Sequence, residues 1–513
     1  MASTSGSSSS IPTRIIDLPP NHEFSFELEG TEALSITLLS GLAETFGVEL
    51  VAHTAHPFSD QVRACVWTPT GCTIQVEGKV ESSYVGDEGG MRVYQALHLG
   101  LSRIRAEARP SSSWTSTRRN KQLVAWTSVQ DDEILPPRVL VVGERGAGKS
   151  SLIKSLLNWR VREAWALRGG KGATIKEGGG ALYVNLDTSE GALTVPGTLS
   201  ITPINALLPT TTPINPFGTS GTSGPPVPFP PNSNSTTNWL PPPLIEAYAP
   251  TVDPLVYWFG HQDPSDASSL YEHLLKKLGK SLGDKLAQGG LMGWKAGCLV
   301  DTPGEWAEKK GLAMIVKAVR ALEVNIVLVV GNQRLEDQVK RLLDTNKTVS
   351  VVRVPAANGA SAPDEALQRR IKDAQIRSYF YGGPALTTGV LSPFSIIVKF
   401  EDLRIVQIGE ALSAQAPDSA LPIGFGRTVG DLDLVPLDLE ASNVQSSLLF
   451  RLLGIPQALE GSEEAEVVGR PVLGWVYVSA IDQVKKKMTL LSPLPGRLPR
   501  KTLILGSIDW QDA

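Results

Sequence analysis

Gly143, Gly148, Lys149 and Ser150 stand in the order G-x-x-x-x-G-K-S, directly after the apolar run Val139-Leu140-Val141-Val142. The stretch reads as a buried strand, a glycine-rich turn and a helix start. Glycines at such a turn let successive backbone N–H groups face inward and surround a phosphate, because no side chain blocks the approach. The positive end of the following helix adds to that field. In this arrangement Gly146, Ala147, Gly148 and Ser151 contribute to the cradle. Lys149 reaches the β- and γ-phosphates, and the Ser150 hydroxyl holds Mg²⁺. The chemistry implied is binding of a nucleoside triphosphate with Mg²⁺.

Two carboxylates end apolar runs elsewhere: Asp187 after Ala181-Leu182-Tyr183-Val184-Asn185-Leu186, and Asp301 after Gly297-Cys298-Leu299-Val300. Carboxyl ends of parallel strands beside a phosphate loop are where ligands bind. An Asp there holds Mg²⁺ through water or accepts a proton from an attacking hydroxyl; the alternative is a turn or cap. Asp301-Thr302-Pro303-Gly304 has the D-x-x-G form of GTPases, but Thr345-Asn346-Lys347-Thr348-Val349 lacks the Asp that reads guanine, which disfavours GTP. Arg369, Arg370, Lys372 and Arg377 cluster on a predicted helix ahead of Tyr379, as a solvated face or as a lid over the transferring phosphoryl group.

Positioning these groups takes a strand–helix alternation. Strand-like runs recur at Asn325–Val330 and Ser350–Val354, with helical spacing at Leu270, Leu274, Leu275, Leu278 and at Leu312, Ile315, Val319, Leu322. This predicts an α/β domain with a parallel sheet over 126–385. Within it, 203–243 is dense in Pro, Thr, Ser, Gly and Asn and is expected to be a disordered insertion. Ahead of it, 13–125 carries period-two segments such as Phe24–Leu28, Leu34–Leu38 and Cys72–Val76, expected as a β-sandwich. A helical pattern follows at Leu97, Leu101 and Ile104, then a polar linker from Pro110 to Lys121. Residues 1–12 read as a disordered tail, and 386–513 as an all-β domain.

Composition narrows the class. The chain has 513 residues, 42% hydrophobic, with net charge −4, so a dominant nucleic-acid face is not written into the bulk charge. The three cysteines have no metal-ligand spacing and suggest buried small hydrophobes in a reducing compartment. No run of about 18 apolar residues predicts a membrane span.

Several stretches together resemble the Clp family of pre-mRNA cleavage-and-polyadenylation factors, relatives of polynucleotide 5′-hydroxyl kinases. They are Glu23–Glu29, Leu39–Glu44, the phosphate loop, Tyr183–Asp187, Val195–Thr198, Ile376–Gly382 and Leu490–Pro493. The resemblance implies three domains, a nuclear location and ATP held between the first two. It implies that Glu23 contacts the adenine, that Arg63 supports the nucleotide, and that the partners are other subunits of the cleavage factor, with any RNA contact indirect. Kinases of the family carry D-x-x-Q; this chain has Asp187-Thr188-Ser189-Glu190. Their T-x-G-W, whose Trp stacks on the RNA end, reads Thr302-Pro303-Gly304-Glu305-Trp306, with one residue inserted. Two functions follow from the resemblance. One is an ATP-binding structural subunit; the other is an active RNA 5′-hydroxyl kinase with Asp187 as base.

Overall fold

The computed structural model describes residues 12–28, 32–59, 62–80, 82–87, 90–109, 134–167, 179–210, 216–217, 254–344, 348–357, 359–362, 364–382, 392–409, 431–441, 444–458, 461–462, 464–493, 498–499 and 501–511. The expected tail up to residue 11, the whole linker from Pro110 to Lys121 and the span 345–347 lie outside them.

The N-terminal strands are β1 (Thr13–Leu18), β2 (Glu23–Glu27), β3 (Leu34–Gly41), β4 (Glu44–Thr45), β5 (Val48–Glu49), β6 (Ala55–Phe58), β7 (Arg63–Trp67), β8 (Cys72–Gly78) and β9 (Ser82–Gly86). They form two antiparallel sheets, β1-β8-β3-β6 and β5-β4-β7-β2-β9. Period-two alternation turns Leu34, Ile36, Leu38, Ile74 and Val76 toward Phe24, Phe26 and Phe58, giving the sandwich its core.

Helix α1 (Met91–Glu107) follows the sandwich strands and carries them onto the central domain. Its Met91, Tyr94 and Leu101 pack with Leu152, Ile153 and Leu156. The apolar stripe of α1 matches that of the neighbouring helix, and burial there fixes α1 against the centre. After α1, the backbones of Arg109 and Ile134 exchange hydrogen bonds at 3.0 and 3.1 Å, so the chain leaves and returns at one point.

The central domain runs β10 (Arg138–Val142), α2 (Lys149–Leu167), β11 (Ala181–Asn185), β12 (Thr198–Ile204), β13 (Leu255–Trp258), α3 (Ser268–Gln288), α4 (Gly290–Ala296), β14 (Cys298–Asp301), α5 (Leu312–Ala321), β15 (Ile326–Val330), α6 (Gln333–Leu343), β16 (Ser350–Val354) and α7 (Glu365–Tyr381). Strand order is β13-β12-β11-β14-β10-β15-β16. The sheet is parallel from β11 to β16, and β12 and β13 add an antiparallel edge. β10 is buried on both faces: Val139 and Val141 meet α2, while Leu140 and Val142 join the core under α3 and α5.

The start of the expected insertion is ordered. Pro203 and Ile204 pair with Leu182 and Ala181 as the end of β12. Leu208 is buried, its N–H donating to Asn158 Oδ1 at 2.7 Å. Phe217 is buried as well, stacked on Tyr183 with ring centroids 3.9 Å apart. Apolar burial at Leu208 and Phe217 outweighs the poor packing composition around them. Residues 211–215 and 218–243 of the expected insertion lie outside the described residues.

The C-terminal sheet contains β17 (Phe394–Lys399), β18 (Arg404–Ile408), β19 (Leu434–Pro436), β20 (Arg451–Pro456), β21 (Val472–Asp482), β22 (Lys487–Ser492) and β23 (Thr502–Asp509), in the order β17-β22-β21-β20-β23-β18-β19. It shares a core with the central domain. Trp258 Nε1 donates to Ile504 O at 3.2 Å, and Trp475 N donates to Tyr379 Oη at 2.9 Å. Phe380 of α7 stacks on Trp510. Among the described residues no helix is long and apolar enough to cross a membrane.

Candidate functional site: a phosphate cradle between two domains

The loop between β10 and α2 places its glycines where only glycine fits. Gly146 has φ +75° and Gly148 φ +87°, the left-handed region. A Cβ on Gly146 would lie 2.2 Å from Ala362 N. Lys149 Nζ donates to Gly143 O and Glu144 O at 3.1 Å each, both neutral acceptors. Ser150 Oγ donates to Asp301 Oδ2 at 2.6 Å. Ala147 sits differently: its side chain packs inward and its N–H donates to Glu144 O at 3.2 Å.

A cavity of about 240 Å³ opens over this loop. Gly146, Gly148, Lys149, Ser150, Ser151 and Asp187 line it from the central domain, and Glu23 and Arg63 from the sandwich. Gly143, Ala147 and Asp301 do not line it; Asp301 lies behind Ser150, which it bonds. Glu23, on β2, is buried, and its Oε1 accepts from Met91 N at 3.4 Å. Burial raises its carboxyl above the ordinary value, against that hydrogen bond. Arg63, on β7, pairs with Glu27 and donates to Ser361 Oγ at 2.6 Å and Ser361 O at 3.3 Å. Arg63 therefore bridges the sandwich to the loop after β16. Tyr94 Oη makes a parallel tie, donating to Pro355 O at 2.7 Å.

That loop, 355–362, is the part the sequence did not flag. Gly359, Ala360 and Ser361 wall the cavity, and Ala360 and Ala357 close over Gly148. Its signal was a run of small residues between two prolines, Pro355 and Pro363. Small side chains let a backbone approach another backbone closely. Arg145 is a second omission; its guanidinium donates to Gln368 Oε1 of α7, joining the phosphate loop to the basic helix.

Three carboxyl groups face the cradle. Asp301 is buried and its carboxyl is pushed up to about 6 by burial, against the pull of Lys149 and the Ser150 hydrogen bond. Burial within the cleft, then Asp187 and Asp301, raises the Glu190 carboxyl above its ordinary value. Asp187 Oδ1 accepts from Ser189 N at 3.0 Å and Ser189 Oγ at 2.6 Å. Uncompensated carboxyl groups beside a lysine and a hydroxyl suit a divalent cation riding on phosphate oxygens. Among the described residues no cluster of His, Cys, Asp and Glu would hold a metal without that phosphate. The donor set therefore fits a Mg²⁺–triphosphate held by Lys149, Ser150 and Asp301.

Trp306 lies elsewhere. It is only 2% exposed and packs edge-on against Tyr271, with ring centroids 6.2 Å apart, inside the central core. Gly304 and the inserted Glu305 line the cleft in its place. Of the basic cluster on α7, Arg369 and Lys372 face a groove of about 490 Å³ beside the cradle, while Arg377 lies over the Tyr381 ring.

Residues 17–108 match the family described as N-terminal beta-sandwich domain of polyadenylation factor. Residues 229–382 match the mRNA cleavage and polyadenylation factor CLP1 P-loop, and 391–512 match pre-mRNA cleavage complex II protein Clp1. The chain is 32% identical to mRNA cleavage and polyadenylation factor CLP1 of Laccaria bicolor, over 96% of this chain and 97% of the relative. It is 28% identical to polyribonucleotide 5′-hydroxyl-kinase Clp1 of Xenopus laevis, over 98% and 95%. Its fold matches the Clp1p chain of a solved Clp1p–Pcf11p complex with TM-score 0.72 at 24% identity, over 98% of this chain and 99% of that one.

Proposed function

Because the chain belongs to the Clp1 family of mRNA cleavage and polyadenylation factors, we propose that it is an ATP-binding structural subunit of the nuclear pre-mRNA 3′-end cleavage machinery. ATP with Mg²⁺ is held by Gly146, Gly148, Lys149, Ser150 and Ser151 on one side and by Glu23 and Arg63 on the other. It assembles with other cleavage-factor subunits, including one of the Pcf11p kind, as the solved relative does.

The observation that carries this reading is the position of Trp306. A ring sealed against Tyr271 in the core does not stack on an incoming base, and Glu305 brings a carboxylate where a polyanionic acceptor would enter. The cradle beside it is complete. A nucleotide retained but not consumed acts on the equilibrium between docked and undocked domains. At free ATP about a thousand times Kd, that tie is worth roughly 4 kcal/mol.

The rival reading is RNA 5′-hydroxyl phosphorylation, with Asp187 as base toward the attacking hydroxyl and Lys149 and the α7 arginines on the phosphoryl group. Asp187 at the cleft and the kinase name of the Xenopus relative favour it. The test pairs two assays on the full chain. Calorimetry should show ATP binding by the wild type and none by Lys149→Ala. Transfer of labelled phosphate to a 5′-hydroxyl RNA oligonucleotide should stay at background. Robust transfer that disappears in Asp187→Ala would replace the structural reading with the kinase reading.

A further inference from the structure

A second cavity, of about 550 Å³, lies outside the nucleotide cleft, where the sandwich, α1 and α2 meet. Three indoles wall it: Trp67 from β7, and Trp159 and Trp165 from α2. Leu42 and Leu99 stand at its mouth with 55% and 63% of their surface exposed. Exposed leucines continuous with an aromatic hollow form an apolar patch of the kind that marks an interaction site.

The charge around the hollow leaves a carboxylate in excess. Its lining holds Glu44, Glu49 and Glu163 against Arg162, and Glu163 is paired with Arg160 at 3.0 Å. Arg162 is already engaged by Glu44 and Glu49. Burial holds the His98 imidazole down to about 4, so it adds no positive charge at neutral pH. Glu49 keeps 61% of its side chain exposed at the rim.

We propose that this hollow docks a short segment of a partner protein that inserts a bulky apolar side chain beside a basic residue. The volume accepts one large side chain with room for its backbone, and Glu49 at the rim, which shares its one arginine with Glu44, selects the adjacent positive charge. Because the walls come from the sandwich and from the helix that begins at Lys149, the hollow is whole only while the two domains are docked. Its dependence on nucleotide therefore rests on the structural reading above; the hollow itself does not.

Phage-displayed random 12-residue peptides panned on the ATP-loaded full chain test this. Enriched peptides should pair Trp, Phe or Leu with a neighbouring Lys or Arg. A labelled synthetic copy should bind the wild type and lose at least about tenfold in affinity to Leu99→Glu, with ATP binding unchanged. Leu99 is on the surface, so the variant folds; Trp165→Ala should weaken the peptide as well. Peptides without that pairing, or peptides indifferent to Leu99→Glu, overturn the proposal. Self-association of the chain abolished by Leu99→Glu also overturns it, in favour of a second copy as occupant. Lys149→Ala separates the two ideas: loss of peptide binding supports the nucleotide tie, and retention removes the tie while leaving the docking site.

Discussion

At the scale of single residues, the account turns on how Lys149, Ser150 and Asp301 share charge. Asp301 ionises near 6 in the folded chain, above its ordinary value of 3.8, because burial penalises the carboxylate. A raised folded value favours the protonated form. The associated stability is complete below about pH 4 and is lost as pH rises through about 6. At pH 7.5 the nucleotide-free protein thus carries a cost of up to about 3 kcal/mol at this site. Asp301→Asn should raise the melting temperature of nucleotide-free protein at pH 7.5 and weaken Mg²⁺–ATP binding by at least about tenfold, read by thermal unfolding and calorimetry. In the wild type, Mg²⁺–ATP affinity should fall as pH drops from 7 to 5, where Asp301 takes up a proton. An affinity flat across that range would exclude Asp301 from the metal site.

At the scale of elements, α2 does more than follow the glycine-rich loop. Down its length Asn158 donates from Nδ2 to Phe46 O at 2.8 Å, Trp159 Nε1 donates to Glu44 Oε1 at 2.9 Å, and Arg162 pairs with Glu44 at 2.7 Å. Both partners, Glu44 and Phe46, belong to the β4–β5 hairpin, so α2 staples the sandwich to the centre. Arg162→Ala leaves Glu44 buried with its charge unpaired, and should cost about 1–3 kcal/mol of docking. Limited proteolysis should then release the sandwich sooner than in wild type, with the C-terminal domain unaffected. The strand–loop–helix of this element was legible because its period and glycines are local. The stapling was not, since Glu44 and Arg162 are 118 residues apart and no local pattern reports such a contact. The burial of Leu208 and Phe217 was hidden in the same way: proline-rich composition describes the average residue, while two apolar anchors decide the path. Trp306 shows the limit most directly, because the inserted Glu305 was visible but the direction of the ring depends on the Tyr271 pocket that only the fold creates.

At the scale of the whole molecule, three domains are joined by two unlike interfaces. The central and C-terminal domains share one hydrophobic core, closed by Trp258, Trp475, Phe380 and Trp510. The sandwich instead meets the centre partly through polar ties, at Arg63–Ser361 and Tyr94–Pro355, which flank the nucleotide cavity. Polar ties around a ligand site open more readily than a shared apolar core. On the proposed reading, a nucleotide spanning that gap would contact both sides and so favour the closed arrangement. The measurement that tests this most directly is amide hydrogen exchange along the full chain, with saturating Mg²⁺–ATP and after its removal. The account predicts that removal speeds exchange in β4, β5 and α1 while β20 and β21 keep their protection. Equal protection of β4, β5 and α1 in the two states would contradict it, and the nucleotide would then serve some end other than holding the domains together.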